Sequence, residues 1–219
     1  EVQIGHLATV DGVTLWERAI ARGGSCTVGQ NDRAVALEKA GRLEEAESHY
    51  REAIRLEPRH IRAHFNLGNL RFQQGRYAEA IPPYEEALRL DPSDEQTRRN
   101  LGTTHYDLAN SLWRQGDRAQ AVREYREAIR YRPEDAGFER ALGMVLLEQG
   151  LHEEAAAALR RSLALDSENA VTHGVLAIAL FQLGDDAGAW SEVQASRHRG
   201  GAPAPWLLSA LARRTPEPR

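Results

Sequence analysis

Apolar and small residues recur along this chain at helical spacing, in segments separated by short polar turns. In 77–90 they are three and four residues apart, which places them on one face of a helix, whereas a strand would alternate apolar and polar positions. These residues are Ala80, Ile81, Tyr84, Ala87 and Leu88. The pattern predicts amphipathic α-helices along the chain.

The turns between these segments are marked by glycines at a nearly constant period. The glycines are Gly41, Gly75, Gly116, Gly150 and Gly184, and an alanine follows each of them by five residues. Successive glycines are 34, 41, 34 and 34 residues apart. A fixed period of this length is typical of stacked structural repeats, and glycine suits the left-handed residue that ends a helix.

The second segment of each unit carries a large residue followed three positions later by a small one. The pairs include Tyr50 with Ala53 and Tyr84 with Ala87, and prolines such as Pro92 end the segment. This pattern resembles the tetratricopeptide repeat (TPR), a unit of two antiparallel helices with a 34-residue period. The resemblance implies an all-α, right-handed superhelical TPR solenoid with capping helices. The five repeats are expected at 27–60, 61–94, 102–135, 136–169 and 170–203.

Both ends of the array have the pattern of caps. Residues 1–26 are expected to form a partial leading repeat, because Trp16 and Ala19 lie one period before Tyr50 and Ala53. Cys26 is interpreted as a small packing residue. Residues 204–219 are expected to form a capping helix, which covers the last repeat with Trp206, Leu207, Leu208 and Leu211, followed by a frayed tail.

Seven extra residues at 95–101 account for the single 41-residue step. Seven residues are close to two helical turns, so we expect one helix of roughly six turns that begins with a Ser93–Gln96 capping box. The alternative is a short separate helix or loop. On the long-helix hypothesis the added turns rise above their neighbours, and Arg98, Arg99 and Tyr106 stand at the rim, open to a partner.

Composition narrows the function classes. Of the 219 residues 42% are hydrophobic and 27% are charged. The net charge is −4 and the pI is about 6.1, so the chain lacks the excess of positive charge that favours binding to nucleic acid or anionic lipid. A single cysteine excludes an intrachain disulfide or a thiolate metal cluster. No apolar run approaches the roughly 20 residues needed to span a bilayer. The chain begins at Glu1 without Met, so we expect it to be part of a longer protein.

No constellation for catalysis can be recognised. His60 and His64 are four residues apart, but they straddle a turn and have no third ligand for a metal. The glycines around Cys26 follow no strand, so a phosphate-binding loop is not expected. We therefore expect no enzyme, no cofactor and no metal.

The family resemblance implies a concave groove, lined by the first helices of successive repeats, that receives a peptide or a partner helix. Asn69 and Asn110 occupy the same position in adjacent repeats, and an amide can both donate to and accept from an extended backbone. Asn31, Val35, Leu147 and Gln182 also match groove positions. The residues expected to form the binding groove are Arg62, Phe65, Asn69, Phe72, Gln73, Tyr106, Asn110, Trp113, Arg114, Arg140, Met144, Ile178 and Phe181.

Each of these residues has a simpler interpretation. The aromatic side chains at helical spacing are alternatively inter-repeat core, and the asparagines are alternatively solvated surface residues. The carboxylate clamp by which some family members grip chaperone tails uses lysines, but the only lysine here is Lys39. The matching positions hold Asn31, Asn66 and Arg62, so recognition of a chaperone tail is not expected.

Two functional hypotheses follow. The first is a non-catalytic interaction module that binds an extended or helical peptide of a protein partner; the second is a structural scaffold that self-associates. Neither involves nucleic acid or membrane insertion. The segment QIGHLATVDGVTLWERAIARGG also resembles the junction before the C-terminal TPRs of membrane glycosyltransferase-like proteins of the protein O-mannosyltransferase type. That resemblance implies the soluble tail of a membrane protein; the compartment is left open.

Overall fold

The computed structural model describes residues 27–216, and all regular structure within that range is helical. The predictions for Trp16, Ala19 and Cys26 lie outside the described residues. Eleven helices follow one another within 27–216: α1 (Thr27–Lys39), α2 (Leu43–Leu56), α3 (Ile61–Gln73), α4 (Tyr77–Leu90), α5 (Glu95–Gln115), α6 (Arg118–Tyr131), α7 (Ala136–Glu148), α8 (His152–Leu165), α9 (Ala170–Gln182), α10 (Asp186–His198) and α11 (Pro205–Arg214).

The turns inside each helix pair depend on the periodic glycines. All five have positive φ, from 73° at Gly75 to 88° at Gly116. At Gly75 the backbone N–H donates to Phe72 O at 2.9 Å, and the N–H of Arg76 donates to Arg71 O at 2.9 Å. These two bonds close a Schellman turn, whose left-handed residue glycine adopts without strain. The glycine period therefore marks the helix ends as the sequence predicted.

The structure divides into two compact units, one ending at Thr104 and the other beginning at His105. In the first unit α1 packs on α2, α3 on α4, and α3 also contacts α1 and α2. Its core contains Leu37, Tyr50 and Leu70, all fully buried, with small residues between them. The helix-pair architecture predicted from the repeats is confirmed in this unit.

The second unit repeats the arrangement, with contacts between each pair of consecutive helices from α6 to α11. Gly143 lets α7 approach α8, since a Cβ atom there would lie 2.7 Å from Leu159 Cγ. At the end of the chain α11 begins with Pro205 at its first position and inserts Leu207 and Leu211, both 0% exposed, into a core with Trp190. The helix packs against the last helix pair.

Helix α5 is continuous over 21 residues, so the extra seven residues extend the helix instead of forming a separate element. The predicted Ser93–Gln96 capping box is wrong. Asp94 fills that role, because its Oδ1 accepts from the Gln96 backbone N–H at 3.0 Å, while Ser93 donates to Asp91. Asp94 directly precedes the first helical residue, Glu95, which is the N-cap position, whereas Ser93 lies one residue before it.

The added turns are covered on one face, while the Arg99 side chain stays 60% exposed, as expected at a rim. Thr97 and Leu101 are both 0% exposed, so this part of the helix belongs to the packed structure. Arg98 donates to Glu95 and to Pro92 O, and Arg99 donates to Glu95 as well. Local pairing thus occupies the two arginines expected to stand open at a rim.

A polar pair joins the two helices of several repeats at the same sequence separation of 19 residues. The pairs are His49 Nδ1 with Gln30 Oε1 at 2.6 Å, His105 Nδ1 with Glu124 Oε2 at 2.7 Å, and His173 Nδ1 with Glu192 Oε2 at 2.6 Å. These rings tie the helices of one pair together. The two histidines weighed as metal ligands serve local structure instead: His60 caps α3, and His64 Nε2 lies 2.9 Å from Pro58 O.

The close approach at Gly143 predicts opposite effects for two glycine substitutions in the second unit. Gly143→Ala should lower the free energy of unfolding by about 1–2 kcal/mol, because the new methyl group overlaps the fully buried Leu159. Gly174→Ala is the matched control. Its Cβ would meet only Ser196 Oγ at 3.5 Å, so the higher helix propensity of alanine should stabilise the chain by about 1 kcal/mol. Urea denaturation of both variants measures the difference, and equal effects would contradict the packing.

Candidate functional site

First-helix side chains line a small hollow in the first unit, which we call the amide hollow. Its volume is ≈ 120 Å³, and its lining is rich in side-chain amides and aromatic rings. The lining residues are Asn69, Phe72, Gln73, Tyr84, Asn100 and Thr103. Three of the predicted groove residues, Asn69, Phe72 and Gln73, are therefore brought together.

Asn69 is held rigidly in the amide hollow. Its Oδ1 accepts from the Tyr84 hydroxyl at 2.6 Å and from Asn100 Nδ2 at 3.0 Å, which occupies both lone pairs of the carbonyl. Burial raises the pKa of Tyr84, so its hydroxyl remains a donor. The NH₂ group of Asn69 makes no hydrogen bond to any residue within 27–216 and is left to donate outward.

A second, larger hollow lies in the second unit, and we call it the arginine hollow. Its volume is ≈ 200 Å³. The lining residues are Tyr106, Asn110, Trp113, Tyr125, Gly137, Arg140, Ala141, Met144 and Val145. Five predicted groove residues, Tyr106, Asn110, Trp113, Arg140 and Met144, meet here.

The polar floor of the arginine hollow repeats the arrangement of the amide hollow. The Tyr125 hydroxyl donates to Asn110 Oδ1 at 2.6 Å, and burial raises the pKa of Tyr125. The Asn110 side chain also hydrogen-bonds Asp107. Burial raises the pKa of Asp107, while that hydrogen bond and the charge of Arg114 act in the opposite direction. The second-helix tyrosine thus orients the first-helix asparagine in both units.

The walls of the arginine hollow are apolar and well supported. The Tyr106 ring stacks on Phe138 with a centroid distance of 4.7 Å and meets Tyr125 edge-on at 5.6 Å. Trp113 is 37% exposed and is held in place by its Nε1–H, which donates to Glu148 at 2.8 Å. Met144 is 41% exposed beside it in the lining. The aromatic residues are therefore neither pure core nor free surface, but fixed side chains with open faces.

The remaining predicted groove residues lie elsewhere. Arg62 and Arg114 are exposed, and Phe65 packs edge-on against Tyr84 at 6.0 Å without reaching the hollow. Ile178 lines a third hollow of ≈ 200 Å³ between the start of α9 and 201–204. Phe181 lies under Trp206 at 6.2 Å and under the Arg214 guanidinium at 4.5 Å, so the terminal helix partly covers it.

Several side chains of the two hollows do not follow from the groove pattern of the sequence. That pattern assigns Tyr84 and Tyr125 to packing alone, and it does not single out Asn100 or Asp107. One signal for the tyrosines is nevertheless present, because the tyrosine follows the asparagine by 15 residues in both repeats. That spacing joins the first helix to the second, so the asparagine–tyrosine pairs can be recognised from the sequence alone.

Within 27–216 the structure offers no site for a metal ion, since no three His, Cys, Asp or Glu side chains are grouped suitably. None of the described helices is both long and apolar enough to cross a membrane.

Consecutive helix pairs with glycine turns, a buried tyrosine or leucine in the second helix and open first-helix faces define a helical-repeat protein. The family model of the tetratricopeptide repeat matches residues 11–54, 31–95 and 106–170. The chain belongs to the tetratricopeptide repeat family.

Solved structures support the same fold. The TPR protein YrrB, described as having an unusual peptide-binding site, is 19% identical, with a TM-score of 0.55 over 93% of this chain and 100% of its own. MamA is 17% identical with a TM-score of 0.55 over 79% of this chain and 91% of its own. The AMB-1 form of MamA is 19% identical with a TM-score of 0.55 over 83% and 96%. No curated protein matches the chain significantly.

Proposed function

We propose that this chain is a non-catalytic interaction module that holds an extended segment of a protein partner against its first helices. The observation that carries the proposal is the repeated asparagine–tyrosine pair. In each unit a buried tyrosine fixes an asparagine at the edge of an open hollow, with O–O distances of 2.6 Å. A solvated, idle asparagine would need no such support.

Fixing the amide favours binding of a peptide backbone. The tyrosine hydroxyl occupies the asparagine carbonyl, so the orientation of the amide plane is set before a ligand arrives. A peptide carbonyl can then accept from the NH₂ group without demanding a particular side chain. Because little rotamer freedom remains to be lost, binding costs less entropy than it would with a mobile amide.

Apolar faces beside the asparagines supply contact area. Phe72 lines the amide hollow, and Trp113 and Met144 line the arginine hollow with 37% and 41% of their surfaces exposed. Aromatic and methionine side chains are enriched where protein partners bind. The peptide-binding site named for YrrB, a protein of the same fold, supports the same kind of role for this chain.

Selection of short random peptides displayed as internal loops, followed by affinity measurement on a selected peptide, tests this function. Replacing both Asn69 and Asn110 by alanine should weaken binding roughly ten- to a hundredfold, since each hydrogen bond contributes a net of about 0.5–1.5 kcal/mol. Glu85→Ala, which changes an exposed residue of the second helix α4, is the control and should leave binding unchanged.

The stability of the asparagine variants must be followed at the same time. Asn69→Ala also removes the acceptor of Tyr84 and Asn100, so a modest loss of thermal stability accompanies the loss of binding. Tyr84→Phe removes one of these internal bonds while keeping Asn69, and separates the two effects. Unweakened binding by a folded double variant would refute the amide clamp, and the absence of any enriched peptide would refute the function.

The alternative function is a self-associating scaffold. It is favoured by the exposed apolar residues near the C-terminus, where Trp206 is 51% and Leu183 37% exposed. Light scattering over a concentration series separates the two, since a strict monomer excludes self-assembly. The proposal that the chain is the tail of a membrane glycosyltransferase-like protein rests on the segment before residue 27, outside the described residues, and stays a prediction.

A further inference from the structure

The charged side chains around the arginine hollow form ion pairs or hydrogen bonds with other side chains, with one exception. Glu148 accepts from Trp113 Nε1 at 2.8 Å and pairs with Arg118 at 3.3 Å. Asp107 hydrogen-bonds the Asn110 side chain and interacts electrostatically with Arg114. A third acid, Asp135, accepts from the backbone N–H of Gly137 and pairs with Arg132, so each of these three acids already has a partner.

The exception is Arg140, which lies in the lining of the hollow itself. Its guanidinium makes no hydrogen bond, ion pair or ring contact with any residue of the described chain, although it is half-buried. By contrast Arg132, on the preceding turn, pairs with Asp135 at 2.8 Å, and Arg161, on the next helix, pairs with Glu139 at 2.7 Å. An arginine held in a hollow without an anion is equipped to accept one from outside.

Gly137 brings the first turn of α7 close to Arg140. A Cβ atom at Gly137 would lie 3.0 Å from Asp135 Oδ1 and 3.8 Å from Arg140 Nη2, so the absence of a side chain there keeps the space between the two groups clear. A planar guanidinium can present two parallel N–H donors to a carboxylate. Trp113 and Met144 line the same hollow and offer apolar faces next to the charge.

We propose that the arginine hollow selects an Asp or Glu side chain of the bound segment through Arg140, next to a bulky apolar residue that packs on Trp113 and Met144. This inference rests on the proposed function and names the chemistry of its ligand. The net charge of the whole chain is −4, so attraction of an acidic segment depends on this local cation and not on the general field.

A side-chain carboxylate fits the hollow better than a chain terminus. Capture of a terminal carboxylate usually draws on several donors converging on one point, whereas here one guanidinium stands beside a single amide, which has one N–H left after its bond to Asp107. An extended segment passing over the hollow can place one carboxylate at Arg140 and continue on both sides. The ligand is therefore an internal acidic residue.

The test uses the full chain and a library of short random peptides, displayed as internal loops without a free C-terminus. The wild type should enrich peptides with Asp or Glu at one fixed position beside an aromatic or long aliphatic residue. Replacing that acid by its amide should weaken binding to the wild type roughly tenfold. The same replacement should have little effect on binding to Arg140→Gln, which defines a double-mutant cycle.

Two further variants sharpen the cycle. Arg140→Lys keeps the charge but loses the bidentate geometry, and should bind with intermediate affinity. Arg123→Gln removes an exposed arginine of the second helix α6 in the same unit, and should change neither the enriched motif nor the affinity. Melting curves that coincide for the wild type and both Arg140 variants would exclude a folding defect.

The possible failures can be told apart. Three results would each overturn the role of Arg140 and leave the peptide-binding function standing. The first is that the enriched peptides carry no acid, and the second is that replacing the acid by its amide weakens binding equally to the wild type and to Arg140→Gln. The third is that binding appears only with synthetic peptides that carry a free C-terminus. If neither the displayed loops nor synthetic peptides with a free C-terminus bind, both proposals are overturned.

Discussion

Replacing Leu211 by alanine is expected to lower the free energy of unfolding by about 3 kcal/mol. Leu211 is 0% exposed and packs in one cluster with Leu176, Leu180 and Trp190. The cluster is at the end of the described chain, where no further repeat covers it, so removal of the leucine side chain leaves a cavity that nothing else fills. Chemical denaturation followed by tryptophan fluorescence measures the change.

A control substitution in the same helix and a truncation of the chain extend this test. Ser209→Ala, at an exposed position of the same helix, should change stability by less than about 0.5 kcal/mol. Ending the chain at Gly201 removes α11 entirely, as well as the Thr215 carbonyl that accepts from Trp190 Nε1 at 3.0 Å. The truncated chain should melt at lower temperature and aggregate. An unchanged melt would show that α11 is not a cap.

Replacing Glu47 by alanine is expected to lower the free energy of unfolding by about 3 kcal/mol. This carboxylate of α2 has a side chain only 9% exposed, and it receives Arg71 at 2.9 Å, Arg76 at 2.7 Å and Arg51 at 2.7 Å. Because Arg71 and Arg76 belong to the next repeat, the cluster joins two repeats of the first unit. Without the acid these guanidiniums remain partly desolvated and uncompensated.

The ion pairs of Glu47 also predict how the stability of the chain depends on pH. Although burial favours the neutral acid, the guanidiniums of Arg76 and Arg71 hold the pKa of Glu47 below its ordinary value of 4.5. A lowered carboxylate pKa contributes stability above the pKa of the unfolded chain, and this contribution is lost as pH falls through the folded pKa. Between neutral and acidic pH the wild type should therefore lose more stability than Glu47→Gln.

Glu45→Ala is the matched control for the acidic cluster. Glu45 lies on the same helix and pairs with Arg42 at 2.6 Å, but both side chains are about half exposed, so the substitution should barely change stability. Equal losses for Glu45→Ala and Glu47→Ala would contradict the assignment of Glu47 as the buried link between repeats.

The fold could be predicted from the sequence to a large extent, because repetition made each position visible several times. Gly75 and Ala80 alone would indicate one turn, but their counterparts at a fixed spacing indicate helix pairs throughout. Details that occur once were predicted less well. The cap of α5 is Asp94 and not Ser93, and Glu95 pairs with Arg98 and Arg99, which were expected to be open to a partner. Packing of an insertion has no second example within the chain.

The candidate site shows the same contrast. The first-helix positions of Asn69, Asn110, Trp113 and Met144 could be taken from the family pattern, and the structure brings them to the two hollows. The absence of a counter-ion for Arg140 within the described chain could not be predicted. Whether Arg140 has a counter-ion depends on which acidic side chains of the neighbouring helices already form ion pairs. Those pairs are set by side-chain geometry after the helices have packed.

Site-specific photo-cross-linking of a selected peptide tests the central claim most directly. A benzophenone side chain is placed at Gln73 or Met144, both exposed on first helices, and in separate variants at Glu85 or Arg123, both exposed on second helices. If the first helices hold the partner segment, the peptide should cross-link at Gln73 and Met144 and be displaced by excess unlabelled peptide, with no adduct at Glu85 or Arg123. Cross-links at the second-helix positions alone would contradict the account.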